Sequence, residues 1–538
     1  MTLHLTRWRV LLAPLSLLVV VTLIGLWAHD TVQRRQRAAA SSSQDQSTVV
    51  VAQSSDLETL ESDNLNSASS FSIAALLWGR LLNITPAGAI VPSMADSYSW
   101  NDAGNEITFH LHPGLKCQDG SAFTARDVAY TFNRAANPKF GFYGNLPAFV
   151  YSAIGFRGAR ADSDLDATVR VQAYSSQVPG MLSQAFMLCR ASYEPLSQAA
   201  AASHAYATGP YKLAGWQHDD RLVLERNPEY TLAHAPYEHV IFRIIPEPST
   251  RVAELLAGNV DVISNVPPDQ VDAIEASRTA TVQSVSGTRR IFIGFNFAPK
   301  YAATAGGAAI QHKAVRQALE YAVDVPTICS QLLQRPCERM ASPVQPDHFK
   351  LTPYPYDPDK AERMLDAAGY PRKANGVRFH LTLQTPRSRY LEDVNVAQAV
   401  SQYLSDIGVQ TDVDAMDFNS VFAPRARQHE VGELFLSGNG GALWSPLFDI
   451  SLFPTREANT NTGMWYDPAW QEGLHSLENV RDPEKEKVIV QGMLEVFRDD
   501  APWLFLYFQP DFYASGPHVD FHPRRDELID VMAMRPKP

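Results

Sequence analysis

The chain has 538 residues, 45% of them hydrophobic and 10% aromatic. That is more than one ordinary core can use and enough for two or more domains. Its formal net charge is −12 and its pI about 5.7, with no basic stripe carrying interleaved aromatics; nucleic acid is thereby excluded as a partner, and the acid excess reads as a solvated surface.

In chain order the first signal is a targeting segment. Arg7 and Arg9 precede an apolar run from Val10 to Trp27, with Pro14 near its start. Residues 1–30 therefore read as a signal peptide or a membrane anchor, the run 10–27 being near the lower limit for spanning a bilayer. Ala38 and Ala40 offer a small-residue cleavage site, whereas Arg34, Arg35 and Arg37 between it and the run favour retention. Both readings stay open, and both place the bulk of the chain outside the cytoplasm. No cysteine follows the run, which excludes a lipid-modified anchor. Residues 31–48 form a Ser/Gln/Ala-rich linker, and folded sequence starts near Val49.

Strands and helices then alternate. "EITFHLHPG" has the apolar/polar alternation of a half-buried strand. "TARDVAYTFNRAANP" is a helix with Thr124 as N-cap and Asn137-Pro138 as its stop. "YKLAGW" and "RLVLERN" are two strands of a hairpin. Its tip, Gln217-His218-Asp219-Asp220, puts a histidine beside two carboxylates, yet a solvated turn accounts for them without chemistry. "STRVAELLAGNVDVI" is a helix, a glycine stop and a strand, and "HKAVRQALEYAVD" is a strongly periodic helix. In "DPDKAERMLDAAGY", Asp357-Pro358 opens a helix and Gly369 closes it. "RFHLTLQ" is a strand, and "EDVNVAQAVSQYLSDIGVQTDVDAM" is a long helix, a stop at Gly408 and a strand. Such alternation means α/β layers.

The four cysteines suit two disulfides in an exported protein, Cys329–Cys337 locally and Cys117–Cys189 as the second pair, with buried free thiols as the alternative. There is no C-x-x-C, H-E-x-x-H, G-x-S-x-G or phosphate-binding loop, and His429-Glu430 are adjacent rather than at helical ligand spacing. No catalytic residue, metal site or cofactor is expected.

The order and spacing of several segments resemble the extracytoplasmic solute-binding proteins of family 5, the peptide/nickel type that serves ATP-binding-cassette (ABC) importers. They are "MADSYSWNDAGNEITFHLHPGLKCQDGSAFTARDVAYTFNR", "TGPYKLAGWQHDDRLVLERNPEY", "STRVAELLAGNVDVISNVPPD", "IGFNF", "HKAVRQALEYAVD" and "MWYDPAW … FRDDAPWLFLYFQP". The resemblance implies a two-lobed α/β periplasmic-binding fold of the large type II class, with an extra subdomain and a discontinuous lobe I. Lobe I is then expected over 49–287, with an insert near 90–205, and again over 503–538; lobe II is expected over 288–502. Crossings between lobes fall near Arg290–Asn296 and Leu504–Phe512. The implied function is capture of a peptide or related solute in an interlobe cleft and delivery to the importer's permease subunits, by a periplasmic monomer, free or anchored. The alternatives are a membrane-anchored sensory or structural protein of the same fold, and a receptor for a non-peptide ligand such as an opine, sugar acid or metal chelate.

The resemblance also nominates ligand-binding candidates. Arg389 and Tyr390 in "TPRSRYLED" match a Gly-Arg-Tyr segment of the family, with Ser388 in the glycine's place, and a guanidinium there suits a ligand carboxylate. In "GGALWSPLFDISLF", Ser445 stands where peptide-binding members carry the carboxylate that takes the ligand's amino group. Serine cannot offset a buried ammonium, so Asp449, about one helical turn on, becomes the substitute candidate. Trp444, Trp465 and Tyr466 are candidate apolar walls, and Asn296 is a candidate cleft amide at a lobe crossing.

Overall fold

The computed structural model describes residues 47–537, apart from 145, 207, 336, 346, 388, 441–444, 454 and 459. The segment 1–30, most of the linker 31–48, and Trp444 lie outside the described residues. Among the described residues no helix is long and apolar enough to cross a membrane.

Ten strands form one mixed sheet. Across it they run Val409–Asp417, Phe379–Arg387, Leu434–Asn439, Thr281–Phe295, Trp503–Ser515, Val262–Ser264, Thr48–Gln53, His239–Ile244, Arg221–Arg226 and Tyr211–Gln217. Parallel pairing occurs on both flanks, between Thr48–Gln53 and His239–Ile244 and between Phe379–Arg387 and Val409–Asp417. Strands so placed are covered on both faces. In Thr48–Gln53, Val49 and Val51 enter one hydrophobic core while Ala52 enters another.

The two central strands join the flanks. Thr281–Phe295 and Trp503–Ser515 pair antiparallel, and every residue of the second is buried. Their register breaks twice, by a small slip between Ile291 and Phe292 and by a larger break in the middle: Ser286 faces Pro510, but the next pair is Arg290 with Phe508. Proline has no N–H for a ladder, and a bulge is where a strand tolerates it. Gly287 sits in the bulge with no room for a side chain, since a Cβ would stand 2.3 Å from an Asp511 carboxylate oxygen and 2.7 Å from the Gln509 carbonyl. The bulge turns Thr288 and Arg289 out of the ladder, and the Thr288 amide donates instead to the Arg525 carbonyl. Bulges commonly re-aim side chains in this way.

A separate four-stranded sheet, with Glu106–Leu111 and Asp166–Arg170 at its centre, packs with the helix Ala125–Ala135 around its own core. That helix starts as its sequence dictates. The Thr124 hydroxyl accepts from the Arg126 amide while the Asp127 carboxylate accepts from the Thr124 amide, a capping box. Near the helix's other end Arg134 reaches Glu61 at 2.5 Å and Asp63 at 2.7 Å, all three buried, which fastens this sheet to the main body. The disulfide Cys117–Cys189 closes a span of 72 residues in the same region, and Cys329–Cys337 closes one of 8.

The hairpin Tyr211–Gln217/Arg221–Arg226 carries His218, Asp219 and Asp220 at its tip. Asp219 has a positive φ of 59°, its amide donates to Asp56, and the Trp216 indole donates to the same carboxylate. The tip is thus a turn docked on Asp56.

Candidate functional site

The bulge opens onto a cavity of about 320 Å³ between the two flanks of the molecule. Its walls come from widely separated parts of the chain. Phe71 belongs to the helix Ala68–Leu77 and Arg80 to the turn after it; Thr288 and Arg289 come from the bulge; Arg389 and Gly438 come from the other flank; and the turn Arg524–Leu528 closes the floor. Small-solute sites are concavities of this size class, between packed units, with a few polar groups among apolar walls.

Among the described residues six charged side chains line the cavity, four arginines and two carboxylates. Two of the arginines are already paired. Arg289 makes a two-pronged contact with Glu527 at 2.7 and 2.8 Å, and Arg524 makes one with Asp526 at 2.9 and 2.5 Å. Burial works against the Arg289 charge, yet Glu527 holds that guanidinium above the usual arginine range. Glu527 is itself held below the usual carboxylate range, because Arg289 outweighs its burial. Glu527 has φ 65°, a left-handed conformation rare outside glycine, so the turn is bent to present this carboxylate.

The other two arginines differ. The Arg389 side chain makes no ion pair or hydrogen bond with a described residue; it lies 4.9 Å from the Phe418 ring and 5.5 Å from that of Tyr390. Its backbone is held firmly all the same, since the Arg389 and Tyr390 amides both donate to Asp393. Surrounding protein, and then the like charge of Arg289, push the Arg389 guanidinium below its usual range. Arg80 packs over the Phe186 ring at 4.5 Å, and its buried Nε has no hydrogen-bond partner.

The sequence candidates disperse. Of the eight, Arg389 alone lines this cavity among the described residues. Tyr390 is buried beside it and braces the wall: its hydroxyl donates to the Gly438 carbonyl at 2.8 Å. Gly438 suits that contact, for a Cβ would come within 2.9 Å of the tyrosine ring. Asp449 is buried against the Arg290 guanidinium at 2.6 Å, and burial raises its carboxyl despite that cation. Ser445 precedes the short helix Pro446–Ile450, and its hydroxyl does not cap it. Asn296 is fully buried, donating to the Val431 carbonyl and accepting from the Ala298 amide, so its amide is spent on a turn. Trp465 lies in an aromatic core with Phe453, Trp470 and Phe497, its indole donating to Asp500. Tyr466 is 47% exposed, beside Arg456. Three of the four arginines, and both carboxylates, carried no local motif. Arg80, Arg289 and Arg524 meet only through the fold, and the Arg-x-Asp-Glu run at 524–527 was their one visible trace.

A larger crevice of about 810 Å³ lies beyond the helix Pro446–Ile450, between Ser152–Val178 and Leu447–Glu478. Its rims touch. The Tyr174 amide donates to the Asn479 side chain and its carbonyl accepts from the Asn479 amide, while Arg481 donates to the Asp102 carbonyl at 2.8 Å. Among the described residues no group of three or more His, Cys, Asp or Glu side chains could hold a metal ion.

Comparison with known proteins agrees with this architecture. Residues 89–461 match the family model of bacterial extracellular solute-binding proteins, family 5. The glutathione-binding protein GsiB of Pectobacterium atrosepticum is 27% identical over 472 residues, covering 85% of this chain and 88% of its own. GsiB of Escherichia coli K12 is 24% identical over 478 residues, with the same coverage of 85% and 88%. Two solved structures share the fold at low identity. The dipeptide-binding protein of Pseudoalteromonas in complex with Met-Leu superposes with a TM-score of 0.77 at 20% identity, covering 91% of this chain and all of that one. NikZ of Campylobacter jejuni with Ni(L-His) gives 0.74 at 18% identity, covering 88% and 95%. The matched span, the two-lobed α/β architecture and the cavity between its flanks lead to one conclusion: this chain belongs to the bacterial extracellular solute-binding proteins of family 5.

Proposed function

We propose that the protein is the substrate-binding component of an ABC importer, which takes a peptide or peptide-like solute into the interlobe cavity and passes it unchanged to the permease. The observation that carries this reading is the Arg389 guanidinium, lining that cavity with no ion pair or hydrogen bond to a described residue while its backbone is fixed. A ligand carboxylate supplies the missing acceptors in two-pronged geometry. Relatives named for glutathione and dipeptide binding support the same solute class. We place the lobes at 49–287 with 503–538 and at 288–502, meeting along the two central strands. Ligand that touches both lobes favours the closed arrangement by its differential affinity, and the permease reads that closure as shape.

Calorimetry with di- and tripeptides and glutathione, combined with small-angle scattering, tests this. The expected result is saturable binding by at least one member and a smaller radius of gyration on binding; no binding and no compaction across the panel would overturn it. Arg7, Arg9 and the run 10–27 support export. Mass spectrometry of the native N-terminus separates a free receptor, cleaved near Ala40, from one anchored by the retained segment.

A further inference from the structure

We infer that the ligand is doubly anionic, with Arg389 on one lobe and Arg80 on the other each taking one negative group, and that the site offers no carboxylate to a free α-ammonium. This rests on the binding role proposed above and sharpens it.

The charge balance leads there. Four guanidiniums against two carboxylates leave the lining two positive charges in excess. The pairs Arg289–Glu527 and Arg524–Asp526 neutralise themselves. Asp530 stands 3.8 Å from Arg524 and, with Arg80 and Arg524, lines a neighbouring cavity; it attracts Arg80 from there but makes no ion pair with it. The excess therefore resides on Arg80 and Arg389, which lack any ion pair with a described residue. The half-buried Arg80 charge is costly where it is shielded from water, Arg389 is exposed to the cavity, and a ligand carrying two anions gives both guanidiniums charge-assisted partners. Arg80 is set for such a task. It follows a helix of lobe I, its stem is fixed over Phe186, and it sits beside Arg524. Burial, and then the Arg524 charge, outweigh the attraction of Asp526 and Asp530 and lower its guanidinium to about 10, which leaves it charged at neutral pH. The carboxylate side of the argument is equally definite. Glu527 and Asp526 are each held by two guanidinium contacts, and Asp449 is held by Arg290.

Because these two cations stand on opposite lobes in the division proposed above, two anions on one solute would tie the lobes together, whereas one anion would reach only one wall. The test uses matched probes: N-acetyl-Ala-Glu with two carboxylates, N-acetyl-Ala-Gln with one, Ala-Glu with two plus an ammonium, and glutarate as a non-peptide dianion. Titration calorimetry is run on the wild type, Arg80→Gln and Arg389→Gln, with thermal melting as the folding control. The wild type is expected to bind N-acetyl-Ala-Glu at least about ten-fold more tightly than N-acetyl-Ala-Gln, with Ala-Glu no tighter than its acetylated form. Arg80→Gln is expected to abolish that preference without lowering the melting temperature. If wild type and Arg80→Gln discriminate equally, or Ala-Glu binds best, the inference is overturned while peptide binding stands. Glutarate binding that depends on Arg80, with no peptide bound, supports the dianion and removes the peptide reading. No binding by any probe overturns both.

Discussion

Arg290 holds Asp449 at 2.6 Å in a site where both side chains are almost wholly inaccessible. The pair ties a central strand to the helix Pro446–Ile450 on the cavity's far side, and the same guanidinium donates to the Asn439 side chain at 2.8 Å and to the Pro343 carbonyl. Asp449 is thereby committed to structure. Removing one partner of a buried pair strands the other, at about 3–5 kcal/mol. Asp449→Ala is thus expected to lower the urea-unfolding free energy by that amount. The double replacement Arg290→Met/Asp449→Leu should cost markedly less than Asp449→Ala alone. A loss of under about 1 kcal/mol in Asp449→Ala would show that the pair is not a structural tie.

Arg389 is the opposite case, a charge that meets the Phe418 and Tyr390 rings but has no ion pair or hydrogen bond with a described residue. Arg389→Gln is expected to leave unfolding within about 0.5 kcal/mol of the wild type. Its effect should fall on binding, about 10- to 100-fold weaker for a carboxylate ligand, since charge-assisted hydrogen bonds contribute about 1.5–3 kcal/mol. Melting curves and calorimetry on one preparation separate the two effects; unchanged affinity would exclude Arg389 as the carboxylate anchor.

These two residues also mark how far the sequence could be read. Elements set by local chemistry were legible: Thr124 and Asp357 cap the helices they were expected to cap, and the alternation around Phe109 and Leu222 gave strands. Arg389 was legible through the motif around it. Trp465 and Asn296 look the same in sequence whether they face a cleft or a core, and only packing put them in the interior. The bulge at 287–289 was hidden because it is a relation between two strands far apart in sequence, not a property of either. Arg80 sits in "LLWGRLLNI" with no spacing or partner to single it out. Its meaning comes from which neighbours are already paired.

Closure should depend on contacts remote from the cavity. Arg481 donates to the Asp102 carbonyl at 2.8 Å and lies 5.2 Å from the Tyr174 ring, and Ser176 donates to Glu486 at 2.8 Å. These join the four-stranded-sheet region to residues 481–486, so on the lobe division proposed above they exist only while the lobes are closed. Arg481→Ala removes part of what favours closure without touching ligand. Exposed hydrogen bonds contribute about 0.5–1.5 kcal/mol, so affinity should fall about two- to ten-fold, mostly through faster dissociation. Stopped-flow release of a fluorescent ligand measures this, and an unchanged rate would show that the rim contacts are incidental.

The two disulfides should differ in weight. By loop-closure entropy, the 72-residue span of Cys117–Cys189 contributes about 4 kcal/mol and the 8-residue span of Cys329–Cys337 about 2.5 kcal/mol. Cys117→Ser/Cys189→Ser is expected to lower the denaturant midpoint more than Cys329→Ser/Cys337→Ser. Equal losses, or the reverse order, would mean that native contacts rather than loop length set the contribution.

Stability should also carry the mark of Asp511, which follows the proline of the bulge. It is 5% exposed; one carboxylate oxygen accepts from the Gln509 amide group, and among the described residues no cation is paired with it, Arg289 being engaged by Glu527. Burial, reinforced by the Glu527 charge, pushes its carboxyl well above the usual carboxylate range. The native state therefore holds a proton that the unfolded chain, with a pKa of about 3.9, has released. Where the native state binds more protons, unfolding free energy falls as pH rises. The contribution from Asp511 is complete below about pH 4 and is lost progressively as pH climbs toward the raised native value. Asp511→Asn keeps the shape and the hydrogen bond but cannot titrate. Its urea midpoint, followed from mildly acidic to mildly alkaline pH, is expected to fall less steeply than that of the wild type, so that the gap between them changes in favour of the variant as pH rises. Groups remote from the bulge titrate alike in both proteins, so the difference isolates this carboxyl together with its coupling to Glu527. Parallel curves would show that Asp511 is ionised in the folded protein, and the bulge would then have to hold a bare buried charge beside Glu527.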